Sequence, residues 1–505
     1  MPAPTKVARH TLFNFLTIAL TSAMGVGVTA LVARVLSPEG MGHYTLLTWL
    51  IGIAGMFANL GYVTAAMKYM AESLGRDNPE EAAGVLAFSS RQVLLFGFGV
   101  SALLILASPL TGRRFDEPDM GLALMAGAVA VIPTALVALY TAACQALQRY
   151  DQVALVTGVT ATCTLGGTVL SIVNGWGMVG LLAATGFSAG LGALGYMLLL
   201  TRWRPDWYRA ALSDELKRAM RTYQGPVFVM LMLDAIVWQR SEVFFLGAYS
   251  PAKEVAYYGM AFTLANMAMK LLPGTLIGLL IPNLSRSVGA GDQEGVRRIF
   301  LLSCRYMAML ALPVAIGGAL VAPALVQVLY GPGYEPVAGL LGVLLGANAL
   351  VMIYGFPASS VLYATNGQNR LVRIGLWISV VNVGLAWLLI PRFGAWGAVG
   401  SCALAQLSSL LPGLRAVRDQ TGAKAPVGMV LQILTAALVM GVPVYAVTRW
   451  TPPLVALFAG PLVGVVAFFL TLFAAGMLTA EDRALVGPLL ARLKLSRRTS
   501  SLEAD

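Results

Sequence analysis

The feature that most constrains this chain is a succession of apolar runs, each long enough to cross a lipid bilayer. They fall near residues 11–33, 43–65, 84–108, 120–143, 152–174, 178–201, 226–249, 256–282, 299–329, 338–364, 371–391, 396–417, 427–448 and 453–478. About 20 residues at a rise of 1.5 Å span a hydrocarbon core roughly 30 Å thick. In that solvent every backbone amide must be bonded within its own segment, which requires helices. The runs therefore predict an all-α polytopic membrane protein with about 14 transmembrane helices. Composition agrees: hydrophobic residues make up 58% of the 505 and charged residues 11%, roughly half the charged share of a soluble protein. Residues 1–10 are short and basic, and no small-residue cleavage site follows the first run, so no cleavable signal peptide is expected. Cys144, Cys163, Cys304 and Cys402 all lie in apolar runs, which suits buried thiols rather than disulfides.

The net charge of +11 is a topology signal. With the N-terminus in the cytoplasm, 26 of the 34 Lys and Arg residues fall in cytoplasmic segments. Six fall outside (Arg34, Arg113, Arg114, Lys253, Arg392 and Arg449), and Arg240 and Lys270 lie within helices. This bias places both termini in the cytoplasm. It also accounts for the basic balance without a nucleic-acid partner.

The chain repeats itself. Leu36-Ser37-Pro38 with Tyr44 recurs as Tyr249-Ser250-Pro251 with Tyr258, and Gly75, Asp77 and Glu80 recur as Gly289, Asp292 and Glu294. Gln148 recurs as Gln368, and Gly177-Met178-Val179-Gly180 as Gly397-Ala398-Val399-Gly400; all offsets lie between 213 and 220. Six helices per copy is an even number, so both copies enter from the same side. The expected architecture is two six-helix lobes related by a pseudo-two-fold along the membrane normal, with a central cleft between them, plus two extra C-terminal helices. In residues, 1–201 form an N-lobe, 202–223 a cytoplasmic amphipathic linker and 224–418 a C-lobe. Residues 419–480 form the additional helices and 481–505 a basic cytoplasmic tail.

Enzyme signatures are missing. No Lys follows a Gly, which rules out a phosphate-cradling G-x-x-x-x-G-K-[ST] loop. His10 and His43 are the only histidines, and neither has a Cys or His partner at metal-ligand spacing. The candidates for function are instead charges at membrane depth, which cost at least ~2.5–3.5 kcal/mol to insert and normally face a bundle interior or a wet cavity. Helices 7 and 8, near 226–249 and 256–282, carry Asp234, Arg240, Glu242 and Lys270. On an ideal helix Arg240 lies about 200° from Glu242, so its partner must come from another helix, a ligand or water. Asn266 and Lys270 stand at i,i+4 on one stripe with Gly274, and Pro273 is expected to kink that helix. These charges either line a cleft or staple helices together, with Lys270 pairing to Asp234 or Glu242 in the second case. Arg34 and Lys68 close the first two helices at opposite faces, where both could also snorkel to headgroups.

A series of motifs over residues 11–418 carries a resemblance. It runs as Ala33-Arg34-Val35-Leu36-Ser37-Pro38-Glu39-Gly40 with Tyr44, then Lys68-Tyr69-Met70-Ala71-Glu72, then Arg240-Ser241-Glu242-Val243-Phe244-Phe245-Leu246-Gly247. Pro282-Asn283-Leu284-Ser285 and Ile390-Pro391-Arg392-Phe393-Gly394 complete it. The chain thereby resembles the polysaccharide (Wzx-type) flippases of the multidrug/oligosaccharidyl-lipid/polysaccharide exporter superfamily. Glu242 stands where that family usually has an acid, and Lys68 where it has a basic residue. The resemblance implies a non-enzymatic carrier in the bacterial cytoplasmic membrane. It would move an undecaprenyl-diphosphate-linked oligosaccharide to the outer leaflet by alternating access through a cationic cleft. Such a carrier works as a monomer among membrane lipids and beside the polysaccharide polymerase machinery. It needs no cofactor or metal beyond a coupling ion, Na+ or H+.

Within that reading Lys270, Arg240, Lys68, Arg34 and Asn266 are the expected substrate-binding residues, and Asp234 and Glu242 the coupling or charge-pairing ones. Fourteen helices stand closer to the lipid II flippase branch than to a twelve-helix pattern, which keeps a peptidoglycan precursor open as substrate. A cation-coupled multidrug exporter would call for a carboxylate inside helices 1 to 6, which show none. A membrane glycan polymerase or ligase would need a large outer loop, and a non-transporting scaffold would be separated by reconstitution.

Overall fold

Two of the repeated loop motifs, those at Ser37 and Ser250 and at Gly75 and Gly289, turn out to lead into helix starts. Ser37 stands before Pro38 and its hydroxyl accepts a hydrogen bond from the Gly40 amide at 3.2 Å. Asn78 accepts from the Glu81 amide at 3.0 Å, and Asp292 from the Gly295 amide at 2.8 Å. Each short polar side chain replaces one of the four amide partners that a helix start lacks, and proline at the first position forfeits nothing there. Ser250, in extended conformation before Pro251, opens a helix at Ala252 in the corresponding place of the second copy.

The computed structural model describes residues 21–115, 118–238, 240–271, 280, 284–365 and 367–477. In chain order the helices are α1 (Thr21–Val35), α2 (Pro38–Asn59), α3 (Tyr62–Gly75), α4 (Pro79–Phe115), α5 (Pro118–Ala146), α6 (Tyr150–Val173) and α7 (Gly177–Trp203). Then follow α8 (Asp214–Trp238), α9 (Glu242–Tyr249), α10 (Ala252–Leu271), α11 (Gln293–Tyr330), α12 (Pro336–Leu350) and α13 (Phe356–Ala364). The last are α14 (Gln368–Ser408), α15 (Leu410–Thr421), α16 (Val427–Trp450) and α17 (Pro453–Ala474). Among the described residues there is no strand, and the protein is an all-α, multi-pass membrane protein. Among the described residues, ten helical segments are each long and apolar enough to cross a bilayer. One of these, 368–421, contains two expected spans. With the partly described first and eighth spans and the interrupted seventh, the arrangement is consistent with fourteen crossings. Large apolar side chains face outward along it, among them Leu106, Val173 and Val442, as lipid-facing surfaces require.

One core gathers residues of α2 to α8, including Tyr62, Val131, Leu139, Tyr196 and Met220. A larger one gathers α9 to α17. The second core also takes in Val32, Ala33 and Met41, so the end of α1 and the start of α2 bury themselves against the opposite lobe. There a Cβ on Gly42 would run into the backbone carbonyl of Ala252, and the glycine permits the two helix starts to cross in contact. All four cysteines are free thiols, three of them buried and Cys163 half-buried.

Four local expectations need correction. The second span, expected as one helix over 43–65, breaks at Leu60 and Gly61, whose φ values are 40° and 80°. A Cβ at Gly61 would lie 3.2 Å from the Gln224 carbonyl oxygen, so glycine both makes the turn and admits α8. The seventh span, expected as one helix over 226–249, breaks between α8 and α9, with Arg240 at φ 62°. The linker expected over 202–223 is no separate element. Its first part is a short 3-10 turn at Trp207–Arg209, with Trp207 buried edge-on against Tyr140. Its second part is the start of α8, which runs without interruption into the apolar span. Finally, the tenth span carries a π-helical turn over Val351–Gly355 ahead of Pro357; Gly274 and Pro273 lie outside the described residues.

Spans 11 and 12 join within α14 at Gly394, whose φ 53° and ψ −128° are closed to residues with a Cβ. The Ala395 amide beyond it donates to Glu254 Oε2 at 2.9 Å, so a carboxylate of α10 caps the start of the twelfth span. Gly394→Ala is expected to lower stability by about 1–3 kcal/mol, because its Cβ would also meet Glu254 at 3.0 Å. Thermal unfolding in detergent checks this, and Glu254→Gln should reproduce only the capping share of the loss.

Candidate functional site

The break in the seventh span sets the geometry of the candidate site. A helix running through residues 239–241 would aim Arg240 and Glu242 in directions dictated by the 3.6-residue turn. The left-handed Arg240 instead resets the chain, and its carbonyl accepts from the Val243 amide at 3.0 Å to start α9. The two side chains then bond different partners. The Arg240 guanidinium reaches α10, where Nη1 donates to Thr263 Oγ1 at 3.4 Å and the group lies 5.7 Å from the centre of the Phe262 ring. Among the described residues no carboxylate forms an ion pair with it. A Cβ on Gly259 would come within 2.7 Å of the Thr45 methyl on α2 and 3.7 Å of Arg240 Nη1. Arg240 therefore lies at the seam where α2 of one lobe meets α10 of the other. Gly259, Thr263, Asn266 and Lys270 fall at i, i+4, i+7 and i+11 of α10, one stripe of a helix. The Asn266 amide donates back to the Phe262 carbonyl at 3.0 Å. The side chains of Lys270 and Asp234 lie outside the described residues.

Glu242 is bonded within its own lobe. It is 1% exposed, within the core of its own lobe. Tyr258 Oη donates to its Oε2 at 2.7 Å and Asn382 Nδ2 donates to its Oε1 at 2.7 Å. Ser241 Oγ donates to Asn382 Oδ1 at 3.1 Å, which fixes the carboxamide's orientation. Among the described residues no cation pairs with Glu242. Its anchors are two neutral donors on α10 and α14, so the three helices are tied through one carboxylate. Sequence reasoning named Tyr258 only as the counterpart of Tyr44 in the repeat and did not single out Asn382. The available signal was Asn382 itself, a lone carboxamide inside the apolar run 371–391, where unpaired polar groups are costly. A 430 Å³ cavity opens nearer the end of the seam, lined by Gly42, His43 and Leu46 of α2 and by Tyr249, Ser250 and Pro251.

The remaining two cations separate. Lys68 sits on α3 beyond the break in the second span. It lies 3.8 Å from Glu72, half-exposed, with its ammonium 4.3 Å from the Tyr223 ring centre and 4.9 Å from that of Tyr69. It thus lies where α3 meets α8, about 33 Å of α2 away from the other end of the seam. Arg34, expected near substrate or at a headgroup, binds backbone: its Nε donates to the Leu329 carbonyl at 3.1 Å and Nη2 to that of Val328. Both carbonyls belong to the last turn of α11. The structure thus brings Arg240 and the Asn266 stripe together and leaves Lys68 and Arg34 at opposite ends.

Comparison with known proteins agrees with this fold. A Haloferax volcanii protein named as the flippase AglR is 25% identical over 249 residues, 49% of this chain and 48% of that protein. The match spans about half the length of that relative. A Shigella flexneri protein named as an O-antigen transporter is 23% identical over 405 residues, 78% of this chain and 93% of that one. Among solved structures, the lipid II flippase MurJ in its inward closed conformation superposes with a TM-score of 0.74 at 13% identity. It covers 95% of this chain and 99% of that one. The family model for lipid II flippase MurJ matches residues 252–465. The model described as polysaccharide biosynthesis protein matches residues 31–338, well over half of the sequence, and the chain belongs to that family.

Proposed function

We propose that this protein is a flippase that carries a polyprenyl-diphosphate-linked oligosaccharide, a cell-surface polysaccharide precursor, from the cytoplasmic to the outer leaflet by alternating access. One observation carries the reading: a guanidinium in no ion pair with a carboxylate among the described residues, held at a helix break on the seam between two lobes. A planar cationic fork suits phosphate oxygens, and a seam that opens alternately to either side is where a headgroup must pass. Arg240 and the α10 stripe that includes Asn266 and Lys270 bind the diphosphate, and Lys68 lies at the far end of the path. Asp234 stands in the span ahead of the break. Where transport draws on a gradient of H+ or Na+, Glu242 is the coupling residue. Both its oxygens already accept hydrogen bonds from Tyr258 and Asn382, an environment better suited to exchanging a proton than to surrounding a cation. The names of the relatives support a lipid-linked substrate and a carrier rather than an enzyme. An apolar groove of 330 Å³ between α11, α16 and α17, lined by Pro313, Gly317, Val321, Met440, Val444 and Gly464, offers surface to the isoprenoid chain.

A second reading, lipid II-type precursor transport, is favoured by the MurJ model's match over residues 252–465. Both are tested by depletion: the lipid-linked saccharide that accumulates on the cytoplasmic leaflet identifies the substrate. Unchanged amounts of every lipid-linked glycan would overturn the two readings together.

The proposal includes both termini in the cytoplasm of a bacterial cell. Cysteines placed at Thr111 and Gly331 should then react with an impermeant maleimide from outside, and one at Ser213 should not. Labelling at Ser213 in intact cells would reverse the orientation.

A further inference from the structure

The two ends of the interlobe seam are closed by different means. At the α1–α11 end the bonding is reciprocal. Arg34, one residue from the end of α1, donates to the Val328 and Leu329 carbonyls in the last turn of α11. In return Tyr334, just beyond α11, donates through its hydroxyl to the carbonyls of Ala33 at 3.0 Å and Leu36 at 3.2 Å, at the end of α1. Each helix therefore has its unsatisfied C-terminal carbonyls bonded by a side chain of the opposite lobe, and a guanidinium sits on the negative end of the α11 dipole. Tyr334 is 2% exposed. Its ring packs edge-on to Tyr257 at 6.4 Å, and Tyr257 donates to the Gly333 carbonyl at 3.0 Å. Gly333, at φ 89°, lets that loop pass Pro38, which a Cβ there would approach to 3.3 Å.

At the α3–α8 end the closure is looser. Phe57 meets Phe228 at 5.6 Å, and Tyr69 meets Tyr223 at 5.8 Å. The Tyr69 hydroxyl reaches the Ala219 carbonyl at 3.4 Å, near the limit of a hydrogen bond. Beside this contact the side-chain oxygens of Asn59 and Gln224 are buried without a partner, as is the Tyr330 hydroxyl at the α1–α11 end. Groups of that kind disfavour closure at either end alike, so it is the reciprocal caps that set the α1–α11 end apart.

We propose that the reciprocal caps of Arg34 and Tyr334 form a latch that holds the α1–α11 end shut, and that this contact must release before the cleft opens there. The proposal rests on the alternating-access reading above. Arg34 is then a positioning residue acting on the opposite lobe, and its effect on transport comes through the distribution of conformers.

Spin labels at Val35 and Tyr249, both exposed at that end, report its opening when Cys163 is replaced by Ala in an otherwise full-length chain. In Arg34→Gln/Tyr334→Phe the longer-distance population should gain about tenfold relative to the short one. Arg34→Lys, which keeps the charge but not the fork, should fall between this variant and the parent. Tyr69→Phe, at the far end, should leave the distribution where it was. Melting temperature and gel filtration establish that each variant is folded. Should the double variant not fold, Tyr334→Phe and Arg34→Lys singly must each show the longer population. Distance distributions that match the parent in the folded latch variants overturn the latch. Parallel proteoliposomes loaded with a lipid-linked oligosaccharide separate the two ideas: widened distances without flipping by the parent protein would sink the transport reading alone, whereas flipping with unmoved distances would sink the latch alone.

Discussion

Arg240→Gly is expected to fold about as well as the parent protein and to lose most of its transport. An L-residue in the left-handed region costs about 1–2 kcal/mol, which glycine does not pay; glycine returns roughly 0.5–1 kcal/mol of that as chain entropy. The substitution should therefore leave stability unchanged or slightly higher. The φ of 62° at Arg240 is thus a cost carried for the side chain rather than for the turn. A charge-assisted hydrogen bond contributes about 1.5–3 kcal/mol, so loss of the guanidinium should slow flipping by about 10- to 100-fold. Arg240→Lys keeps the charge and the strained backbone but lacks the fork, and should retain part of the activity.

The readouts are flipping of a lipid-linked oligosaccharide in proteoliposomes and melting temperature in detergent. Flipping by Arg240→Gly within about twofold of the parent would remove Arg240 from the site. Lys270→Ala, alone and with Asp234→Ala or Glu242→Ala, extends the test along the stripe. A double variant that regains transport would make Lys270 a structural partner and not a ligand.

Glu242→Ala should be destabilising, for a reason unrelated to any lost ion pair. It leaves the Tyr258 hydroxyl and the Asn382 amide buried with no acceptor, at about 1–3 kcal/mol each. Folded yield and melting temperature should fall sharply. Glu242→Ala/Tyr258→Phe should recover part of the loss, because the second change removes one orphaned donor along with its partner. Glu242→Gln preserves shape and one acceptor, so it should fold with a smaller deficit. In that variant transport should no longer follow an imposed proton or sodium gradient. A melting temperature for Glu242→Ala equal to that of the parent would contradict the buried network. Gradient dependence that persists in Glu242→Gln would move coupling to another residue.

What the chain alone determined follows from local rules. Apolar run length sets where helices cross, since the bilayer leaves backbone groups no other partner. Ser37, Asn78 and Asp292 set where helices begin, since their side chains bond the first amides. Charges at membrane depth marked helices 7 and 8 as the place to look, since such charges are costly wherever they serve no purpose.

Contacts between distant segments decided the rest. The second and seventh spans break at Gly61, against which α8 lies, and at Arg240, whose side chain bonds α10; an ideal helix drawn through the sequence missed both breaks, although it had kept Arg240 from pairing with Glu242 as the structure does. That Glu242 is held by Tyr258 and Asn382 depends on three helices meeting, 16 and 140 residues apart in sequence. Arg34 is the sharpest case. Its place at a helix end suggested substrate or headgroup, yet its partners are carbonyls 294 and 295 residues away, which only the closing of one lobe on the other brings within reach.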